Sequence, residues 1–166
     1  MSRIWIVVVV VALAGCFLSQ DLGSLEGRIT AEDCLEGETF CVDVCADLLV
    51  DEVKESEFDG IVIPGGYAPD KLRRYPKILE LVRQFDRKKK LVAFICHAGW
   101  VPISANILKG RQATSFFAIR DDMENAGVIW EDYPVVIDGN LVSSRTPQDL
   151  GHFCQAILKV LNASST

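Results

Sequence analysis

The chain has 166 residues, which fits one domain with one core. An apolar fraction of 49% against 24% charged residues is that of a folded globular protein and excludes long disorder; only residues 162–166 read as a polar tail. The net charge of −6 excludes the electrostatic footprint of a nucleic-acid binder.

Residues 4–18 are almost wholly apolar. A membrane-spanning helix wants roughly 18 or more such residues, so this run falls short. A lipoprotein signal is a second reading: Arg3 supplies a charged start, and Leu13-Ala14-Gly15-Cys16 has the small-residue pattern that precedes a lipidated cysteine. The third reading is a buried parallel strand. Five consecutive valines and two isoleucines are stiff at χ1 and favour extended backbone, and a strand covered on both faces reads as a continuous apolar run. The strand is preferred, because the rest of the chain calls for a central parallel strand from this region. Residues 19–38 show too little periodicity to define a helix, and the segment 1–38 is atypical for the architecture that follows.

Residues 39–44 alternate like a strand. Residues 60–63 form a short apolar run ended by Pro64-Gly65-Gly66, a strong turn signal. Ile78, Leu79, Leu81, Val82 and Phe85 recur at helical spacing. The basic cluster Arg87-Lys88-Lys89-Lys90 then reads as a solvated loop, and residues 91–95 as a fully apolar strand. Val101, Ile103, Ile107 and Leu108 suggest a helix after Cys96 that closes near Gly110, with Pro102 in or just past its first turn. A strand over 112–116 and a helix over 119–126 follow, the latter stopped by Gly127. Residues 135–137 and 141–144 flank Asp138-Gly139-Asn140, a hairpin signature. Thr146-Pro147-Gln148-Asp149 opens a last helix that runs to about residue 161. This alternation implies a mostly parallel sheet in three layers.

There are six cysteines and two histidines, but no CxxC pair. Zinc needs ligands clustered at short spacing, so no metal is expected. Disulfides are possible for an even count, although a domain of this size does not need them. The informative cysteine is Cys96, where a buried strand meets Ala98, Gly99 and a helix start. Ligands of open α/β sheets bind beyond such strand ends, and unpaired N–H groups there favour an anion. A thiol so placed is expected to lose its proton more easily, and the thiolate is the nucleophile. His97 could orient it or take its proton. On these residues alone, Cys96 reads equally well as a small buried hydrophobe.

Several segments in register carry more weight. They are Phe58-Asp59-Gly60-Ile61-Val62-Ile63-Pro64-Gly65-Gly66, Ala68-Pro69-Asp70, Ile95-Cys96-His97-Ala98-Gly99-Trp100 and Leu108-Lys109-Gly110-Arg111. Thr114-Ser115, Asp121-Asp122-Met123-Glu124-Asn125-Ala126-Gly127 and Asp138-Gly139-Asn140-Leu141-Val142-Ser143-Ser144-Arg145 follow. Over about three-fifths of the chain this order and spacing resembles the DJ-1/PfpI family, in its PfpI-like branch. The resemblance implies a flavodoxin-like three-layer sandwich with a mostly parallel central sheet. It implies Cys96 as nucleophile, His97 as base, and Asp70 as an acid supplied by a neighbouring subunit, where aspartate replaces the more common glutamate. Backbone N–H groups of Gly66 and His97, next to Gly65, would form the oxyanion site. Relatives also carry a glutamate after the first strand that bonds the cysteine; no counterpart is evident here, Asp21 and Glu26 being the nearest acids.

The activity implied is attack of Cys96 on reactive carbonyls or glycated amines and thiols, of deglycase or glyoxalase III type. A PfpI-type cysteine peptidase, a redox-sensing or chaperone-like stress protein, and an inactive relative are the alternatives. The implied partners are a small carbonyl substrate or glycated protein and further copies of the chain, as a dimer or hexamer, with Asp70, Tyr67 and Tyr75 near an interface. No cofactor is implied, and Gly65-Gly66 is no phosphate loop, since no GxGxxG or Walker pattern surrounds it. The expected compartment is the cytoplasm; a lipoprotein anchored through Cys16 is the alternative.

Overall fold

A computed structural model describes residues 6–8 and 50–164. Five strands form one sheet in the order β1-β2-β3-β7-β6. They are β1 (Ile6–Val8), β2 (Gly60–Ile63), β3 (Leu91–Ile95), β6 (Val135–Asp138) and β7 (Leu141–Ser144). All pairings are parallel except β6 with β7, which form the expected hairpin. Two short strands, β4 (Gln112–Ala113) and β5 (Ile129–Trp130), pair separately in parallel.

The strand reading of the first apolar run holds at Ile6–Val8, which lies in register with Gly60, Ile61 and Val62. Among the described residues it is the outermost strand on its side of the sheet. The rest of that run, the pattern at 13–16, the strand expected over 39–44, Asp21 and Glu26, and Cys16, Cys34, Cys41 and Cys45 lie outside the described residues.

Pleating sorts the side chains of β3 into two cores. Val92 and Phe94 face one side, where they join Ile61, Ile63, Leu81, Val82 and Phe85. Leu91, Ala93 and Ile95 face the other, against Phe153, Ala156, Ile157 and Leu161. The first core is closed by α2 (Pro76–Arg87), whose apolar residues share one face, and the second by α5 (Leu150–Ser164). A strand covered on both faces must be apolar throughout, and β3 is buried at every position.

Five expectations need correction. The helix after Cys96 does not reach Gly110. A 3-10 turn at Cys96–Gly99 passes into α3 (Trp100–Ser104), and Asn106, at φ 57°, breaks it. Ile107 and Leu108 still pack against the core, but not as helix. The strand expected over 112–116 is only Gln112–Ala113, because Phe116 N–H turns to the Cys96 carbonyl (3.2 Å). Lys90 lies in the expected loop but is not solvated: its Nζ donates to the carbonyls of Glu55 (2.9 Å) and Phe58 (2.8 Å) and pairs with the buried Glu55 carboxylate. Finally, α5 runs into the polar tail as far as Ser164. The helix expected over 119–126 is a 3-10 turn at Phe117–Ile119 followed by α4 (Arg120–Asn125).

Candidate active site

The register β2–β3 sets Ile63 beside Phe94, so the turn after β2 runs alongside Ile95 and Cys96. Gly65 touches the cysteine. A Cβ at Gly65 would stand 2.6 Å from Cys96 Cβ, 3.0 Å from the Ile95 carbonyl oxygen and 3.3 Å from Cys96 Sγ. Only a residue without a side chain permits this approach. Gly66 follows at φ 76°, turning the chain into α1 (Ala68–Leu72), which packs on the elbow.

Cys96 itself sits at φ 63°. A non-glycine residue in this left-handed region costs of order 1–3 kcal/mol and persists only where surrounding structure enforces it. Here the enforcement comes from extended Ile95 on one side and the 3-10 turn on the other. This backbone brings two successive side chains together: Cys96 Sγ lies 3.2 Å from His97 Nδ1. Both residues are partly buried. Because α3 has only five residues, Cys96 stands at the start of a 3-10 turn and not of a long helix.

Two rings lie against the imidazole, with Trp100 at 5.3 Å and Phe116 at 5.0 Å between centroids. Trp100 Nε1–H donates to Asp122 Oδ2 (2.8 Å), and the Arg73 guanidinium lies 5.6 Å from the Trp100 ring centre. Sequence reasoning found the cysteine and histidine but assigned Trp100, Phe116 and Asp122 no role.

Asp70 is placed differently. It stands in the first turn of α1, and its carboxylate pairs with Arg74 one turn on, whose Nε also donates to the Asp70 carbonyl (3.0 Å). Within one chain it bonds neither Cys96 nor His97. Tyr67 is 90% exposed, whereas Tyr75 packs partly buried against the core. Among the described residues no group of histidine, cysteine and acidic side chains could hold a metal ion, and no helix is long and apolar enough to cross a membrane. Cys96 and Cys154 are both free thiols.

A flavodoxin-like sheet whose middle strand ends in a left-handed cysteine beside the next histidine places the chain among α/β proteins of the DJ-1/ThiJ fold. The DJ-1/PfpI family pattern matches residues 17–160, and the chain belongs to that family. It is 50% identical over 118 residues to Deglycase PfpI of Pyrococcus furiosus, covering 71% of each chain. It is 38% identical over 130 residues to Protein/nucleic acid deglycase 2 of Escherichia coli, covering 78% of this chain and 76% of the relative. Among solved structures, a two-domain protein of Anabaena variabilis with DJ-1/ThiJ/PfpI-like and ferritin-like domains superposes with a TM-score of 0.67 at 49% identity. That match spans 68% of this chain and 32% of the larger protein.

Proposed function

We propose that the chain is a cysteine-dependent enzyme acting on reactive carbonyls or glycated amines and thiols through a covalent adduct at Cys96. The observation that carries this reading is the 3.2 Å contact between Cys96 Sγ and His97 Nδ1 at a strained strand end. A nucleophile and its base within such reach form the recurring unit of covalent catalysis. The names of the two deglycases add the substrate class.

The first step follows from the atoms present. His97 takes the thiol proton, and the thiolate adds to the substrate carbonyl carbon. An S–C bond forms while the C=O π pair moves onto oxygen. Backbone N–H groups of Gly66 and His97 are the donors for that oxygen as charge develops. His97 then returns the proton to it, leaving a neutral thiohemiacetal and no change in oxidation state. In this reading Asp70 serves a neighbouring copy of the chain, which requires its pair with Arg74 to open.

The test is Cys96→Ser assayed with methylglyoxal. Turnover should be abolished while the melting temperature stays close to that of the parent, and intact-mass spectrometry should find an adduct on the parent alone. Undiminished turnover in the variant refutes the assignment. Selective peroxide oxidation of Cys96 with no turnover by the parent would replace it with a redox-sensing role.

A further inference from the structure

Neighbouring side chains do not stay in contact by default. The imidazole of His97 has two rotatable torsions, and a swing about either would carry Nδ1 away from Cys96 Sγ. What packs against the ring is the pair Phe116 and Trp100. Phe116 is tied down by its own N–H, which donates to the Cys96 carbonyl (3.2 Å). Trp100 is tied down from two further elements. Its indole N–H donates to Asp122 on α4, and Arg73, just past α1, stacks its guanidinium on the ring. Arg73 is held in turn, its Nε donating to Ser104 Oγ (3.0 Å).

We propose that Asp122, acting through Trp100, is a positioning residue for His97 and so for the Cys96–His97 pair. The inference rests on the functional reading above. Asp122 touches neither the thiol nor the imidazole. Its bond crosses from one element to another, over 22 positions of sequence, to reach an indole three residues after the base. A carboxylate in the first turn of α4 also favours the helix start. That role alone would appear in stability and leave the rate untouched.

The experiment compares Asp122→Ala, Asp122→Asn, Trp100→Phe and the double variant D122A/W100F. Methylglyoxal turnover is measured together with the rate at which iodoacetamide alkylates Cys96, the site being read by peptide mass mapping because Cys154 is also free. Asp122→Ala should lower kcat about tenfold with KM within about twofold, part of the 10²–10⁴-fold that a placed base supplies. Alkylation of Cys96 should slow in parallel. Asp122→Asn keeps an acceptor for the indole and should restore both rates to within about twofold of the parent. Trp100→Phe should match Asp122→Ala, and the double variant should be no slower than either single one, since both break the same link. Parent-like kcat and alkylation in Asp122→Ala overturn the proposal, whether or not the melting temperature falls. So do losses that multiply in the double variant. If the parent turns over no dicarbonyl, it is the functional reading that fails, and the alkylation rates alone decide the positioning role.

Discussion

The two ends of the sheet are built on opposite terms. At the amino ends of β3, β4 and β7, charges meet and cancel. Arg111 donates from Nε to Asp138 (2.9 Å) and from Nη1 to Asp86 (3.3 Å), while Asn140 Nδ2 donates to the Lys90 carbonyl (2.9 Å). Lys90 closes the group on Glu55. At the carboxyl ends the backbone is strained at Cys96, a glycine presses on the thiol, and Thr114 Oγ1 is buried without a hydrogen-bond partner. Such an orphan costs about 1–3 kcal/mol. One end stabilises the fold, and the other spends part of that stability on holding Cys96 in an unfavourable conformation.

If that division is real, changes at the two ends should fall on different observables. The largest effect is expected from Gly65→Ala. Its Cβ would meet Cys96 Cβ at 2.6 Å and the Ile95 carbonyl at 3.0 Å, neither of which is the free end of a flexible side chain. The elbow must shift, and a displacement near 1 Å in a reacting group costs roughly a hundredfold in rate. Methylglyoxal turnover should fall by about that factor, with only a modest change in melting temperature. Parent-like turnover would mean that the approach of Gly65 does not set the position of the sulfur.

Arg111→Met should show the converse. It removes the cation facing Asp86 and Asp138, whose side chains are only 17% and 30% exposed and which keep only the neutral donors Asn140 Nδ2 and Gln112 N–H. Removing one partner of a buried pair costs about 3–5 kcal/mol, and partial exposure reduces this to roughly 2–3. Urea unfolding should register that loss, while kcat per folded molecule stays within about twofold of the parent, since mutations well separated from a site act independently of it. A large fall in kcat would erase the distinction between the ends.

The stabilising end and the thiol differed in how readily sequence betrayed them. β2 and β3 were legible because a strand buried on both faces must be apolar without interruption, and Pro64-Gly65-Gly66 marks where the first one stops. The pair Cys96–His97 stood out where strand, small residues and helix start adjoin, but those residues alone left a small buried hydrophobe equally open, and the segments in register with the family decided between them. The ring contacts around His97 were not legible, since Trp100, Phe116 and Asp122 meet only through the packing of α3, α4 and the segment after β4. The apolar pattern continued past α3 because Ile107 and Leu108 are core residues in non-helical backbone; period alone does not register the turn at Asn106. The strand expected over 112–116 failed for a similar reason. Its polar groups turn to tertiary bonds: Ser115 Oγ accepts from Trp130 Nε1–H, and the Thr114 backbone N–H donates to Ser143 Oγ. β5 has two residues, too few to show alternation.

The smallest effect should come from a satisfied charge cluster at the carboxyl end, and it limits how far the contrast extends. Just past β7, Arg145 donates from Nε to Asp149 (3.1 Å) and from Nη1 to Asp132 (2.7 Å), while Thr146 Oγ1 donates to Asp149 (3.2 Å). The Arg145 guanidinium holds the Asp149 carboxyl below the usual aspartate range, against the opposing effect of burial. A depressed folded value means that the pair stabilises above the ordinary aspartate value of about 3.9 and is lost as pH falls through the folded value. Asp149→Asn should therefore lower stability by a constant amount between about pH 5 and 7, and the gap to the parent should close below about pH 4. The loss should be less than that of Arg111→Met, because Arg145 keeps Asp132 as a partner. A gap that persists undiminished into acid would assign the effect to packing at the start of α5 and leave the carboxyl end of the sheet without an electrostatic anchor at this corner.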